Sequence, residues 1–442
     1  MVTKDNDTRS SVGRRPFLKT AALGVGTTLL AGCSSGGNGS SSSSSSSASG
    51  SSSSSSSSGS TTGTASGNKK PITIGGLLQL SGIYAEYGAP FRDGMKLAIK
   101  EYNDNGGIMG HKVQMVSADN GDNPKTAVSN FLKFIDQNDI VAAAGPAGVQ
   151  VTIQTAKTAE EHNVPIYFLA CNYPAYVNGK DTRYVFNPGL VSIKNWIHPQ
   201  GDWAKKEGYN KVGVIYQNKL FASEVGWAID HYFPDGIELH HRTAPPNATD
   251  YSSYLRQMPK DIDFFIGTGH PAHVYDIYTN MYQLGFDPKV FSGGINPMQV
   301  SYTSIPNSIQ KSFAPFSVID TTTDKYASVG KKYYEQTGNY FDTTTAQGYV
   351  VVKLIGESIE KAGSTDPTEV ADQTRKGTFD LLNVAPIKFR PWGALTDFQE
   401  TFYEFDVGKA PSYYPEGKFT LKAAFTSKKM TGLTPTEAKK GL

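Results

Sequence analysis

Short apolar runs alternate with amphipathic stretches from residue 72 onward, and this rhythm constrains the fold more than any other feature of the chain. "ITIGGLL" (72–78) is a continuous apolar run of strand length. "PFRDGMKLAIKEYNDN" follows, with Pro90 near the first turn of the expected helix. Phe91, Met95, Ala98, Ile99 and Tyr102 recur at helical spacing, and Gly106-Gly107 stop the pattern. "KVQMVSAD" alternates as a strand, and "NPKTAVSNFLKFIDQN" lines up Ala127, Val128, Phe131, Leu132 and Ile135 on one face. "IVAAAG", a helix over 149–162 and "VPIYFLA" complete the first series. A second series restarts after residue 190. It runs helix 194–207, "KVGVIYQN", helix 223–233, "IELHHRTA", helix 250–258, "DFFIGTG", helix 272–284 and "KVFSGG". Helices over 323–337, 344–362 and 367–379 close the pattern. Strands buried on both sides and joined by helices form parallel sheets covered on both faces. Two series predict an α/β protein of two lobes. In open sheets of this kind ligands collect at the carboxyl ends of the strands. The loops to watch are therefore 79–89, 145–151, 170–176, 218–223, 268–273 and 293–298.

Charge excludes one class of partner. There are 42 Lys+Arg against 40 Asp+Glu, a net of +2, with no block of like charge to make a nucleic-acid surface. No G-x-x-x-x-G-K-[ST] phosphate loop occurs, so nucleotide hydrolysis is not expected in this chain. "GCSSG" (32–36) fits the G-x-S-x-G pattern, but without the strand and helix that a nucleophile elbow requires. His270 and His273 are spaced like a weak metal pair, and His240 and His241 are strand neighbours that point to opposite faces. No acid or thiol completes either set, so neither a metal nor another cofactor is expected. Cys171 reads as a small buried residue, and an enzyme is not expected. Trp392 and the tyrosines near 413 read as packing residues, and 411–415 as a rigid exposed turn.

The front of the chain reads as a leader and a tether. "GRRPFLKTAALGVGTTLLAGC" has a charged start, an apolar middle too short to span a bilayer and a small-residue end. Arg14 and Arg15 resemble the pair of a twin-arginine export signal, with Gly13 in place of the usual Ser or Thr. Leu30-Ala31-Gly32-Cys33 resembles the lipobox of prokaryotic lipoproteins, which implies lipidation at Cys33 and an anchor in the membrane. Cys171 then has no partner for an intramolecular disulfide. Residues 40–66 are almost entirely Ser, Gly, Thr and Ala, which cannot bury enough apolar surface to order themselves. The expected organisation is an export signal over 1–33 and a disordered tether over 34–68. The tether would reach on the order of 30 Å.

The strand-end loops carry a further resemblance. "LSGIYAEYG", "IKEYNDNGGIMGHKVQMVSADNGDNPKTAV", "EEHNVPIYFLA" and "ESIEKAGSTDP" are similar to segments of the type I periplasmic binding proteins, in the leucine/isoleucine/valine-binding branch of ABC-importer receptors. The resemblance covers nearly all of 71–400. It implies two Rossmann-like lobes joined by three crossovers that act as a hinge: 69–189 plus 318–385, and 190–317 plus 386–442. It implies a monomeric receptor on the outer face of the cytoplasmic membrane, which takes a small-molecule ligand into the cleft and passes it to a permease. A sensor built on the same fold stays open at this point. By the same resemblance Tyr87, Val149, Gln150, Ala170, Cys171 and Asn172 face ligand from the first lobe, and Tyr84, an aromatic of the same loop as Tyr87, is expected to join them. Phe221, His270, Ile295 and Asn296 face it from the second. Val149 brings no hydroxyl, and neither Ile295 nor Asn296 brings the carboxylate that a free α-amino group needs. An amide or a small organic or aromatic acid is therefore expected over an unmodified branched-chain amino acid.

Overall fold

β1 (Ile72–Leu78) is buried at all seven positions because it has a strand on either side and helices above and below. It pairs in parallel with β2 (Val113–Asp119) and with β3 (Ala142–Ala144). β4 (Ile166–Tyr167) and β5 (Val185–Phe186) extend the sheet in the order β2-β1-β3-β4-β5, all parallel. The computed structural model describes residues 69–169, 181–189, 193–217, 220–245, 247–269, 271–293, 299–310 and 312–432. Arg14, Arg15, Cys33 and the Ser/Gly segment lie outside them.

The helices that join these first strands are α1 (Ala85–Asp104), α2 (Pro124–Asn138) and α3 (Val149–His162). Asn123 caps α2 by accepting from Lys125 N and Thr126 N, with Pro124 at the first helical position. α1 starts five residues earlier than the sequence pattern suggests, so Pro90 falls inside it. The extra turn is held by close packing on the preceding loop. A Cβ at Gly88 would collide with the carbonyl oxygen of Gln79.

The second sheet is built from β6 (Lys211–Gln217), β7 (Glu238–Ala244), β8 (Phe264–Gly267), β9 (Val290–Gly293) and β10 (Phe313–Ser317), all parallel. Its helices are α4 (Ile193–Glu207), α5 (Leu220–Tyr232), α6 (Ser252–Leu255), α7 (Pro271–Gln283) and α8 (Gln299–Ser304). The helix expected over 250–258 is the single turn α6. Asp250 accepts from Ser252 N at 2.8 Å to start it, and Pro259 prevents its extension. After β10 come α9 (Asp324–Thr337), α10 (Thr343–Ala362) and α11 (Pro367–Lys376). Two short strands, β11 (Asp397–Phe398) and β14 (Met430–Thr431), pair with each other. β12 (Thr401–Val407) and β13 (Phe419–Thr426) return to the second sheet as antiparallel strands, in the order β13-β12-β10-β9-β8-β6-β7. The sequence pattern did not predict this hairpin, whose β13 faces half-exposed surroundings and alternates weakly. The turn over 411–415 forms, but its Tyr413 is buried and donates to Phe341 O at 2.9 Å.

α1 and α10 cross at backbone contact. A Cβ on Gly94 would strike the Thr345 carbonyl, and one on Gly348 would strike that of Phe91. Gly348→Ala should therefore force the helices apart and cost about 3 kcal/mol, read as a lower urea midpoint. A second strain on the fold is electrostatic. Glu400, next to β12, is 0% exposed, and neither carboxyl oxygen has a hydrogen-bond partner among the described residues. Burial pushes this carboxyl well above its ordinary value of 4.5. The folded protein thus keeps a proton that the unfolded chain gives up above that value, so stability falls as pH rises from 4.5 toward the folded value. Glu400→Gln should stabilise the protein at about pH 7, with the gain vanishing near about pH 4, in melting curves recorded across that range.

Candidate functional site

Parallel pairing brings the ends of β1, β3 and β4 to one edge of the first sheet, at Leu78, Ala144 and Tyr167. Gln79, only 1% exposed, fastens two of the loops that leave this edge. Its Nε2 donates to Ala147 O at 2.8 Å and to Asp122 Oδ1 at 3.1 Å, and its Oε1 accepts from Ala147 N at 2.9 Å. Asp119 closes the neighbouring loop by accepting from Leu80 N (2.8 Å), Ser81 Oγ (2.5 Å) and Gly121 N (2.9 Å). Burial alone would push its carboxyl up, but these hydrogen bonds outweigh that and hold it below the usual range.

Gly148 caps α3 at φ +79°, a conformation open to glycine at little cost. A Cβ there would lie 2.9 Å from the Tyr84 ring and 3.2 Å from Asp122 Oδ1, so the ring rests on the start of α3. Burial and then the Asp122 charge push the Tyr84 hydroxyl above its ordinary value. Tyr87 follows at 6.3 Å between ring centroids and is half-buried. Val149, half-buried, and Gln150, exposed, are the first two residues of α3. The first N–H groups of a helix have no partner within it and can serve an acceptor from outside.

In the second sheet the edge formed by Gln217, Gly267 and Gly293 leads into α5, α7 and α8. Thr268 is fully buried, and its hydroxyl has no partner among the described residues. Tyr275 Oη on α7 contacts Ser301 Oγ on α8 at 3.3 Å. Glu86 of α1 and Tyr275 of α7 are neighbours, close enough that each shifts the other's ionisation. Burial lifts the Glu86 carboxyl to about 7, against the opposing effect of the Tyr275 hydroxyl. Three of the four histidines weighed as metal ligands are engaged elsewhere, and His270 lies outside the described residues. His240 Nε2 meets Glu238 Oε1 at 2.8 Å, His241 Nδ1 meets Tyr216 Oη at 3.2 Å, and His273 Nδ1 meets Ala248 O at 2.9 Å. Among the described residues no group of three His, Cys, Asp or Glu is placed to hold a metal.

Of the residues singled out from sequence, the structure brings Tyr84, Tyr87, Val149 and Gln150 to the rim of the first lobe. Ala170, Cys171, Asn172, His270, Ile295 and Asn296 lie outside the described residues. Phe221 lies in α5, with its side chain outside them. Sequence reasoning missed Gln79, Asp119, Asp122, Glu86 and Tyr275. Gln79 carried a readable signal: a polar residue directly after a fully buried strand, on a loop already marked.

Two α/β lobes, each with loops and helix starts gathered at the carboxyl edge of its parallel strands, make up the described chain. Residues 71–401 match the profile of the periplasmic binding proteins, and the chain belongs to that family. The Leu/Ile/Val-binding protein BraC3 of Rhizobium johnstonii is 22% identical over 354 residues, covering 76% of this chain and 92% of that protein. Among solved structures, the branched-chain amino acid transporter substrate-binding protein LivJ of Streptococcus pneumoniae, in complex with isoleucine, superposes with a TM-score of 0.67 at 20% identity, over 80% of this chain and 100% of that one. A solute-binding protein of an ABC transporter from Rhodopseudomonas palustris, in complex with 3,4-dihydroxy benzoic acid, gives 0.67 at 16% identity, over 83% and 99%. The fold is that of the type I periplasmic binding proteins, and these two structures are solute-binding components of transporters.

Gln79→Leu tests the frame of the site. It keeps the volume but strands both the N–H and the C=O of Ala147, and should cost about 3 kcal/mol, measurable by urea denaturation.

Proposed function

We propose that this protein captures a small solute between its lobes and delivers it to the permease of an ABC importer. The observation that carries this reading is the facing of two strand-end rims, with Glu86 of one lobe set against Tyr275 of the other. Sites for small molecules favour such clefts between domains. Hinge closure of two domains around a ligand is a recurring switch, and the periplasmic binding proteins are a standard instance of it. Family membership and relatives named for the solutes they bind support the same reading.

The solute is amino-acid-like, an amide, or an aromatic or organic acid. Solved relatives hold isoleucine in one case and a dihydroxybenzoic acid in another, so the fold accepts both chemistries. Tyr84 and Tyr87 supply aromatic walls, and the start of α3 at Val149 and Gln150 offers N–H groups to an acidic end. Ala170, Cys171, Asn172, Phe221, His270, Ile295 and Asn296 complete the lining. The lobes comprise 69–189 with 318–385, and 190–317 with 386–442. Arg14 and Arg15 mark the leader for twin-arginine export. A diacylglyceryl group on Cys33 then holds the protein to the outer face of the cytoplasmic membrane, with 34–68 as the tether.

A thermal-shift screen of the full chain tests capture. A solute at a hundred times its Kd adds about 2.7 kcal/mol, so one class among amino acids, amides and aromatic acids should raise the melting temperature clearly. Cys33→Ser should move the protein from the membrane fraction to the soluble fraction without changing that shift. A screen silent across all classes would contradict the reading.

A further inference from the structure

A carboxyl with one oxygen buried and unpartnered among the described residues stands at the start of α1, next to Tyr275 of the other lobe. Glu86 stands in the first turn of α1, between Tyr84 and Tyr87 in sequence. Its Oε1 is shut away from water and has no hydrogen-bond partner among the described residues. The group opposite is the hydroxyl of Tyr275, which also touches Ser301 Oγ at 3.3 Å. A tyrosine hydroxyl has a single proton to give, so it can satisfy at most one carboxyl oxygen. Among the described residues no basic side chain acts on Glu86, since burial raises it and Tyr275 alone opposes. A buried acceptor left without a donor is unfavourable, and its ionised form more so. The remaining oxygen calls for an N–H donor, best a charged one.

We propose that Glu86 and Tyr275 form a polar subsite, one wall from each lobe, that takes a nitrogen donor of the captured solute: an ammonium or an amide N–H group. This rests on the solute-receptor reading above and narrows it toward amines and amides over bare carboxylic acids. A solute nitrogen held there touches both lobes, because the two walls belong to different ones, and so adds to the contact between them. A carboxyl lifted to about 7 is partly protonated at neutral pH. A cation beside it favours the ionised form, so an ammonium solute drives a proton off Glu86 on binding. Among the described residues Tyr275 is the titratable neighbour acting on Glu86, and its own hydroxyl is pushed up by burial and by Glu86, so it stays protonated.

Calorimetric titration of the full chain with matched pairs tests the proposal. The probes are leucine against 4-methylpentanoate and benzamide against benzoate. The nitrogen-bearing member of at least one pair should bind tenfold tighter or better. Glu86→Gln should erase a tenfold or larger part of any preference for leucine, while the ligand-free melting temperature stays at or above that of wild type. Leucine binding should release a proton, seen as a heat that varies with buffer ionisation enthalpy, and Glu86→Gln should abolish it. Tyr275→Phe should weaken only the nitrogen-bearing members. If the carboxylates bind wild type as tightly as their partners, or Glu86→Gln binds leucine unchanged with the same proton release, the subsite is refuted while the receptor reading stands. If wild type binds no solute of any class, the receptor reading fails and takes the subsite with it.

Discussion

Everything at the cleft depends on the direction in which the strands run. β1 pairs with β2 and β3 in parallel register, Ile74 opposite both Met115 and Ala142, so their carboxyl ends reach the same edge together. The five leading strands of the second sheet do likewise. Parallel strands need helical returns, and those returns start at that same edge. A rim of loops and helix starts is thus a consequence of pairing, and the side chains that decorate it are free to set what is bound.

The same interior treats its carboxyls in different ways. Asp342 is buried at the start of α10 but accepts from Thr345 N and Thr345 Oγ1, and it settles at about 6. Glu400 has no donor among the described residues and is driven far up by burial. Asp119, at the rim, receives enough hydrogen bonds to stay ionised. Glu86 sits between these cases, with one oxygen buried and unpartnered among the described residues and Tyr275 of the other lobe beside it. A receptor that closes on its solute has reason to leave a polar atom unserved at such a place, whereas the same shortfall at Glu400 weighs only on stability. The rigid backing for Glu86 is the contact of α1 with α10, which Gly94 and Gly348 make close enough for backbone to meet backbone.

Strands and helices were legible where burial was two-sided or periodicity was long. "ITIGGLL" and the register of Val350, Leu354, Ile355 and Ile359 in α10 translated directly into structure. Boundaries were less legible, because tertiary packing supplies what local pattern lacks. Gly88 against Gln79 carries α1 back past Pro90, while Asp250 and Pro259 shorten α6 to one turn. The β12–β13 hairpin escaped notice since it lies at a sheet edge with a partly wet strand. At the site, Tyr84 and Tyr87 could be found from their loop, but Gln79 and Glu86 could not be ranked. Their importance comes from Ala147 and Tyr275, partners 68 and 189 residues away in the chain. Periodicity has no access to pairings of that range.

Closure of the two lobes upon a solute is the central claim, and a distance across the cleft tests it most directly. Spin labels carried on unnatural amino acids at Lys125 and Ala272, exposed residues at the starts of α2 and α7, leave Cys33 and Cys171 untouched. Pulsed dipolar spectroscopy then gives the distribution of distances between the lobes, with and without the solute found by thermal shift. Closure predicts a shift to a shorter, narrower distribution when solute is added, saturating at one solute per chain. An unchanged distribution at saturating solute would contradict it.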